Sequence, residues 1–256
     1  MEVHHHPRLD SDGHRKKGFK EYFLEFLMLF LAVTLGFFAE NIREHFSDQE
    51  KVKQYLQTLY YDLKDDTTNL SHQIPFWQSQ LKRIDTLRGE IKKGNQMDSK
   101  LANTMAVHMR GYDNFRYHDR TIAQLKSSGN FRLMSSVVAD SIMEYDSYIV
   151  SQLRDQEAHG QRIYIDANSL QDKIFESGLY SLYREKGLAY VDSMFTVDPN
   201  FFKIHTTNKE LLFEYYNALD FWQSAIGWRL YSYIRLKQKA VNLIELISKE
   251  YSIKKE

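Results

Sequence analysis

Phe26 to Ala39 reads FLMLFLAVTLGFFA, fourteen residues with no charged side chain. A helix rises about 1.5 Å per residue, so the run covers roughly 21 Å of a hydrocarbon core about 30 Å thick. Carrying it back through Tyr22, Phe23 and Leu24 gives eighteen residues and roughly 27 Å, with Glu25 now inside it. A carboxylate one turn from the end can reach the headgroups or take a proton, whereas at the midplane it would be costly. Aromatic residues mark both ends of the run, Phe19, Tyr22 and Phe23 on one side and Phe37, Phe38 and Phe46 on the other, as at membrane interfaces. A buried core helix is the alternative for so short a run. Its apolar character on every face, and the basic stretch before it, favour a transmembrane anchor over residues 21–40.

Lysine and arginine counts set the expected orientation. Residues 1–20 hold Arg8, Arg15, Lys16, Lys17 and Lys20. Glu40, Glu44, Asp48 and Glu50 follow the run, with Arg43 the one basic residue before Lys51. The excess of positive charge before the span predicts a cytoplasmic basic tail, residues 1–20, and a body, residues 41–256, outside the cytoplasm. A cleaved signal peptide is the competitor, but Ala39 is preceded two positions earlier by Phe37, a poor fit to an A-x-A site. An uncleaved signal-anchor is therefore expected.

Composition narrows the function classes. The chain has 34 basic and 34 acidic side chains and no Cys. Neutral balance argues against nucleic acid as a partner. Absence of Cys excludes disulfides, thiol catalysis and Cys-ligated zinc. Three Pro and eleven Gly in 256 residues leave few helix breaks.

The periodicity after the span is helical throughout. Val52, Tyr55, Leu56, Leu59, Tyr60, Leu63, Thr67 and Leu70 recur at three- and four-residue steps. The anchor helix is expected to run into the body until near Pro75. A second stripe, Phe76 to Ile91, ends at Gly94-Asn95, and Leu101, Met105 and Met109 suggest a short helix. The connection Gly111 to Asp119 is aromatic and charged. There Tyr112, Phe115 and Tyr117 are expected to pin it to the bundle while Arg110, Arg116 and Arg120 pair with carboxylates. Asp119 can cap a helix over Thr121 to Ser128, and Gly129 suits a left-handed stop. Ser135 or Ser136 can cap a long helix to Ile174, with Gly160 as its bend. Thr207 with Glu210 forms a capping box opening the last helix. The expected fold is all-α: one N-terminal transmembrane helix continuing into an elongated antiparallel helical bundle.

The segments MEVHHHPRLDSDGHRKKGFKEYFLEFLMLFLAVTLGFFAENIREH and TIAQLKSSGNFRLMSSVVADSIMEYD resemble an uncharacterised family of bacterial single-pass membrane proteins. The resemblance implies a bacterial inner membrane, hence a periplasmic body, together with a helical extramembrane domain and native His4, His5 and His6. It implies no reaction, cofactor or catalytic residue.

Few residues suggest chemistry. There is no Gly-rich phosphate loop, no G-x-S-x-G and no H-E-x-x-H. The His4-His5-His6 tract can bind a transition metal weakly. His108, His118 and Asp119 make a conceivable but unfixed cluster, and no metal or cofactor is expected. The aromatic residues read as core rather than as a ligand pocket. Glu25 is either an intramembrane carboxylate paired with a partner subunit or a snorkelling side chain. Ala32 and Gly36, extended by Ala39, form a small-xxx-small face on which two anchors could associate as a homo-oligomer. The expected function is a non-enzymatic interaction, scaffold or sensor module of the envelope, whose partners are the lipid bilayer and an envelope protein. The alternative is a membrane-tethered enzyme of unfamiliar type using Glu, Asp or His in the bundle.

Overall fold

The computed structural model describes residues 18–175, 178–187, 193, 204, 206 and 208–253. The described residues form helices and connections, with no strand among them. The helices are α1 (Phe19–Lys92), α2 (Ser99–His108), α3 (Arg120–Ser128), α4 (Ser136–Ser147), α5 (Arg154–Ile174), α6 (Gly178–Lys186) and α7 (Lys209–Tyr251). The fold is all-α, and the chain divides into two compact units, Met1–Lys51 and Val52–Glu256.

The described part of the first unit is the N-terminal stretch of α1. Glu21 accepts a hydrogen bond from the Gly18 amide at 3.1 Å, satisfying one of the orphan donors at the helix start. Every residue from Met28 to Ser47 is solvent-exposed. This helix is long and apolar enough to cross a membrane.

In the second unit the helix does not stop near Pro75, contrary to expectation. It continues through Pro75 to Lys92. A proline inside a helix costs about 3 kcal/mol through a lost hydrogen bond and a ring clash. Two features offset that cost. Ser71, whose carbonyl the proline leaves without its partner, is exposed and can bond water. Leu70 and Trp77 on either side are fully buried and hold both halves in the core. The buried stripe also passes through Asp66 rather than Thr67.

Paired residues fix the directions of the long elements. Arg88 of α1 meets Tyr216, Asp220 and Gln223 of α7, while Trp77 meets Trp222 and Arg229. Residue numbers rise along α1 as they fall along α7, so the two are antiparallel. Glu144 pairs with Lys239, Glu157 with Tyr233 and Gln171 with Tyr215, so α4 and α5 are antiparallel to α7 as well. The connection between α2 and α3 is an extended thread beside α1. His108, Asp113, His118 and Thr121 meet Gln80, Gln73, Asp66 and Asp62 in turn.

Helix ends follow local chemistry. Asp98 accepts from the Leu101 amide at 3.0 Å, and Ser135 from Val138 at 3.3 Å. Asp119 occupies the position before α3, but its side chain makes no capping bond. The cap of α7 is Asn208, which accepts from Glu210 and Leu211; Thr207 lies outside the described residues. On α2 the buried positions are Ala102, Asn103, Ala106 and Val107 rather than Leu101 and Met105. Between α4 and α5 lies a π-helical turn, Tyr148–Leu153, and Gly160 falls inside α5. The buried residues Tyr145, Ile149, Leu153 and Glu157 recur at four-residue steps. Four-residue steps drift around a 3.6-residue helix, and a wider turn keeps them on one face.

Candidate functional site

Three features of the second unit combine chemistry with geometry. They are a buried polar layer beneath the thread, an exposed aromatic face on α7, and a cavity where α1 ends and α7 begins.

The polar layer starts at Asp66, which has no solvent exposure. It accepts from the His118 amide at 3.1 Å, from Tyr145 Oη at 2.7 Å, and lies 2.8 Å from His118 Nδ1. Desolvation raises the Asp66 pKa against the pull of these hydrogen bonds. Burial, and then the Asp66 carboxylate, push the Tyr145 phenol well above its ordinary value. Asp146 accepts from Tyr117 at 3.1 Å and from Lys126. Asp62 accepts from Arg120 at 3.1 Å and from Thr121.

Further along, the guanidinium of Arg229 is buried between rings, its Cζ 4.2 Å from the Trp77 centroid and 4.6 Å from that of Tyr112. It donates to Tyr112 Oη, which donates to the Glu157 carbonyl at 2.9 Å. The Glu157 carboxylate accepts from Tyr233 at 2.5 Å and from the Phe115 amide at 3.1 Å. Gly160 makes room for this arrangement, because a Cβ there would lie 3.3 Å from Arg229 Nη2. Arg110 pairs with Asp172 and lends its carbonyl to Tyr164 at 2.6 Å. A buried ion or polar group left without a partner is costly. Carboxylates of α1, α4 and α5 thus hold the thread in place.

An Asp-oriented histidine is one half of a general base. Among the described residues, however, no hydroxyl meets the other ring nitrogen of His118. Nor do three or more His, Asp or Glu side chains converge as a metal site among them. His118 lies with Asp66, and the structure does not join it with His108 and Asp119 as a cluster. His4, His5 and His6 lie outside the described residues.

Glu25, Ala32, Gly36 and Ala39 are exposed residues of the first unit. A Cβ at Gly36 would meet nothing within 4 Å. Gly129 follows α3 with φ 67°, in the left-handed region that favours glycine.

On α7, Phe221, Trp228, Tyr231 and Ile234 are all more than half exposed, Phe221 at 66% and Trp228 at 64%. Trp228 and Tyr231 meet edge-on with centroids 6.2 Å apart, and Arg235 donates to Tyr231 Oη at 2.8 Å. Glu210 and Glu214 precede this face and Arg235 follows it.

The cavity has a volume of about 750 Å³. Its walls are Ile91, Met97, Ile204, Leu212 and Phe213, and Lys92, Lys209 and Tyr216 stand among them. Lys92 Nζ lies 5.4 Å from the Tyr216 ring centroid and Arg88 Cζ 4.4 Å from it. The Lys92 ammonium hydrogen-bonded to the phenol, reinforced by Arg88, holds the Tyr216 pKa below its ordinary value.

Sequence reasoning misses Asp66, Glu157, Arg229 and this cavity. A signal for the first exists: Asp66 falls four before Leu70 and three after Leu63, on the buried stripe. A charge at such a position needs a partner from elsewhere in the fold. Comparison with protein families, with curated proteins and with solved structures finds no match.

Proposed function

We propose that this chain is a membrane-anchored, non-enzymatic interaction module of the bacterial envelope, which engages another envelope protein through the outer face of α7. The carrying observation is that face: four large apolar side chains stay in water while Leu219, Trp222, Ile226 and Leu230 of the same helix are buried in the core. Exposed apolar patches of this kind mark interaction sites. The uncharged run from Phe26 to Ala39 supports the anchoring. The basic residues before it support a cytoplasmic N-terminus and a periplasmic body.

Site-specific photocrosslinking in cells tests the reading. A photoreactive amino acid at Phe221 or Trp228 is expected to give one discrete adduct, the same from both positions. The same residue at Lys100, on the exposed side of α2, is expected to give none. Lack of any light-dependent adduct at Phe221 and Trp228, or equal yields at Lys100, would contradict the proposal.

A further inference from the structure

The cavity between the end of α1 and the start of α7 lies wholly in the second unit and does not use the outer face of α7. Its walls are aliphatic and aromatic, and its volume of about 750 Å³ falls within the range of small-molecule sites. Two ammonium groups, Lys92 and Lys209, stand among those walls.

Three carboxylates of the neighbouring elements, Glu90, Asp98 and Asp220, are committed elsewhere. Glu90 takes Lys93 at 2.6 Å and the Asp98 amide at 3.0 Å. Asp98 caps α2 through the Leu101 amide, and Asp220 takes Arg88 at 2.7 Å. Among the described residues neither Lys92 nor Lys209 pairs with a carboxylate, so both charges are open to an anion. The first amides of α7 are taken by Asn208, so the positive groups in the lining are the two lysines, with Lys92 also hydrogen-bonded to the Tyr216 phenol. Two cations beside apolar walls match a ligand with one anionic end and a hydrocarbon body. A polar nucleotide would leave the apolar walls unmatched, and a cation would meet like charge.

We propose that this cavity binds an amphipathic anion, an acyl-chain carboxylate or its equivalent. The anionic head meets Lys92 and Lys209, and the tail lies against Ile91, Met97 and Leu212. Burial of the tail drives binding, with charge-assisted hydrogen bonds at the head.

The absence of native Cys allows a single reporter. Asn95→Cys at the cavity rim, labelled with an environment-sensitive fluorophore, is placed in the full chain in phosphatidylcholine nanodiscs. Dodecanoate should give a saturable response. Dodecanol and dodecyltrimethylammonium should bind about tenfold more weakly or worse. The Lys92→Gln, Lys209→Gln double variant should lose about tenfold for dodecanoate, and Leu212→Trp, which fills the cavity, should abolish the response. Circular dichroism shows whether each variant keeps the parent's helix content. The unlabelled chain supplies a second readout, a melting temperature that rises with dodecanoate concentration. Discs containing phosphatidylglycerol that reproduce the response with nothing added would assign the ligand to an anionic phospholipid. A response to dodecanoate in neutral discs alone would assign it to a free acyl anion. A non-saturable response, equal responses to dodecanoate and dodecyltrimethylammonium, or a response untouched by Leu212→Trp in a folded variant would overturn the proposal.

Discussion

Replacing Asp66 by alanine removes an acceptor that three donors share. The Tyr145 hydroxyl sits in a residue 1% exposed and is then left dry. The His118 amide loses its partner as well, while the half-exposed His118 ring can turn to water. Each dry donor costs about 1–3 kcal/mol. Part of that is returned because a buried carboxylate no longer needs desolvation. A net loss of ~2–3 kcal/mol follows, which for a unit of this size lowers the melting temperature by roughly 5–10 °C. Asp66→Asn keeps one oxygen acceptor and should lose about 1 kcal/mol. Thermal melts followed by circular dichroism give these values, and a cycle with Tyr145→Phe should return a coupling near 1 kcal/mol. The pH dependence has a definite sign. The folded-state pKa of Asp66 is raised above the ordinary 3.8, mainly by desolvation. The associated stability is fully present below that ordinary value and is lost as pH rises through the folded value. The parent should therefore gain on Asp66→Asn as pH falls through this window. An Asp66→Ala melt within about 1 °C of the parent would refute the idea that this carboxylate ties the thread to α1.

Gly129→Val should destabilise the body by about 1 kcal/mol or more, since a β-branched residue tolerates φ 67° poorly; an unchanged melt would contradict this. Gly160→Val should lose about 1–3 kcal/mol by crowding the clamped Arg229 guanidinium. Gly227→Ala, where a Cβ meets nothing within 4 Å, should gain ~0.5–1 kcal/mol from helix propensity; denaturant titration distinguishes the two directions. Glu90 has its pKa lowered, chiefly by Lys93 and then by the Asp98 amide. Its stabilisation is present above the ordinary 4.5 and is lost as pH falls through the folded value. Glu90→Gln should therefore be less stable than the parent near neutrality and converge with it in acid.

Helical period carries the fold class, because Val52 to Leu70 and Tyr215 to Ile247 place apolar side chains on one face over many turns. Capping chemistry locates α3 and α4 through Gly129 and Ser135, since those features are local. Pro75 misleads because propensity weighs one turn, while burial of Leu70 and Trp77 acts on both sides of it. The π-helical turn is written in the four-residue steps from Tyr145 to Glu157 but reads as an ordinary stripe without the register of α7. The thread and the cavity are hidden for a different reason. Asp66 and His118 are 52 positions apart, and the cavity needs Ile91 beside Leu212; periodicity carries no information about which distant stripes meet.

Alkaline phosphatase fused after Glu256, assayed in carbonate-washed membranes, tests the proposed anchoring and export of the body together. The enzyme is active only once exported. Activity should stay with the washed membranes. A full-length fusion that is inactive, or activity released into the wash, would contradict it.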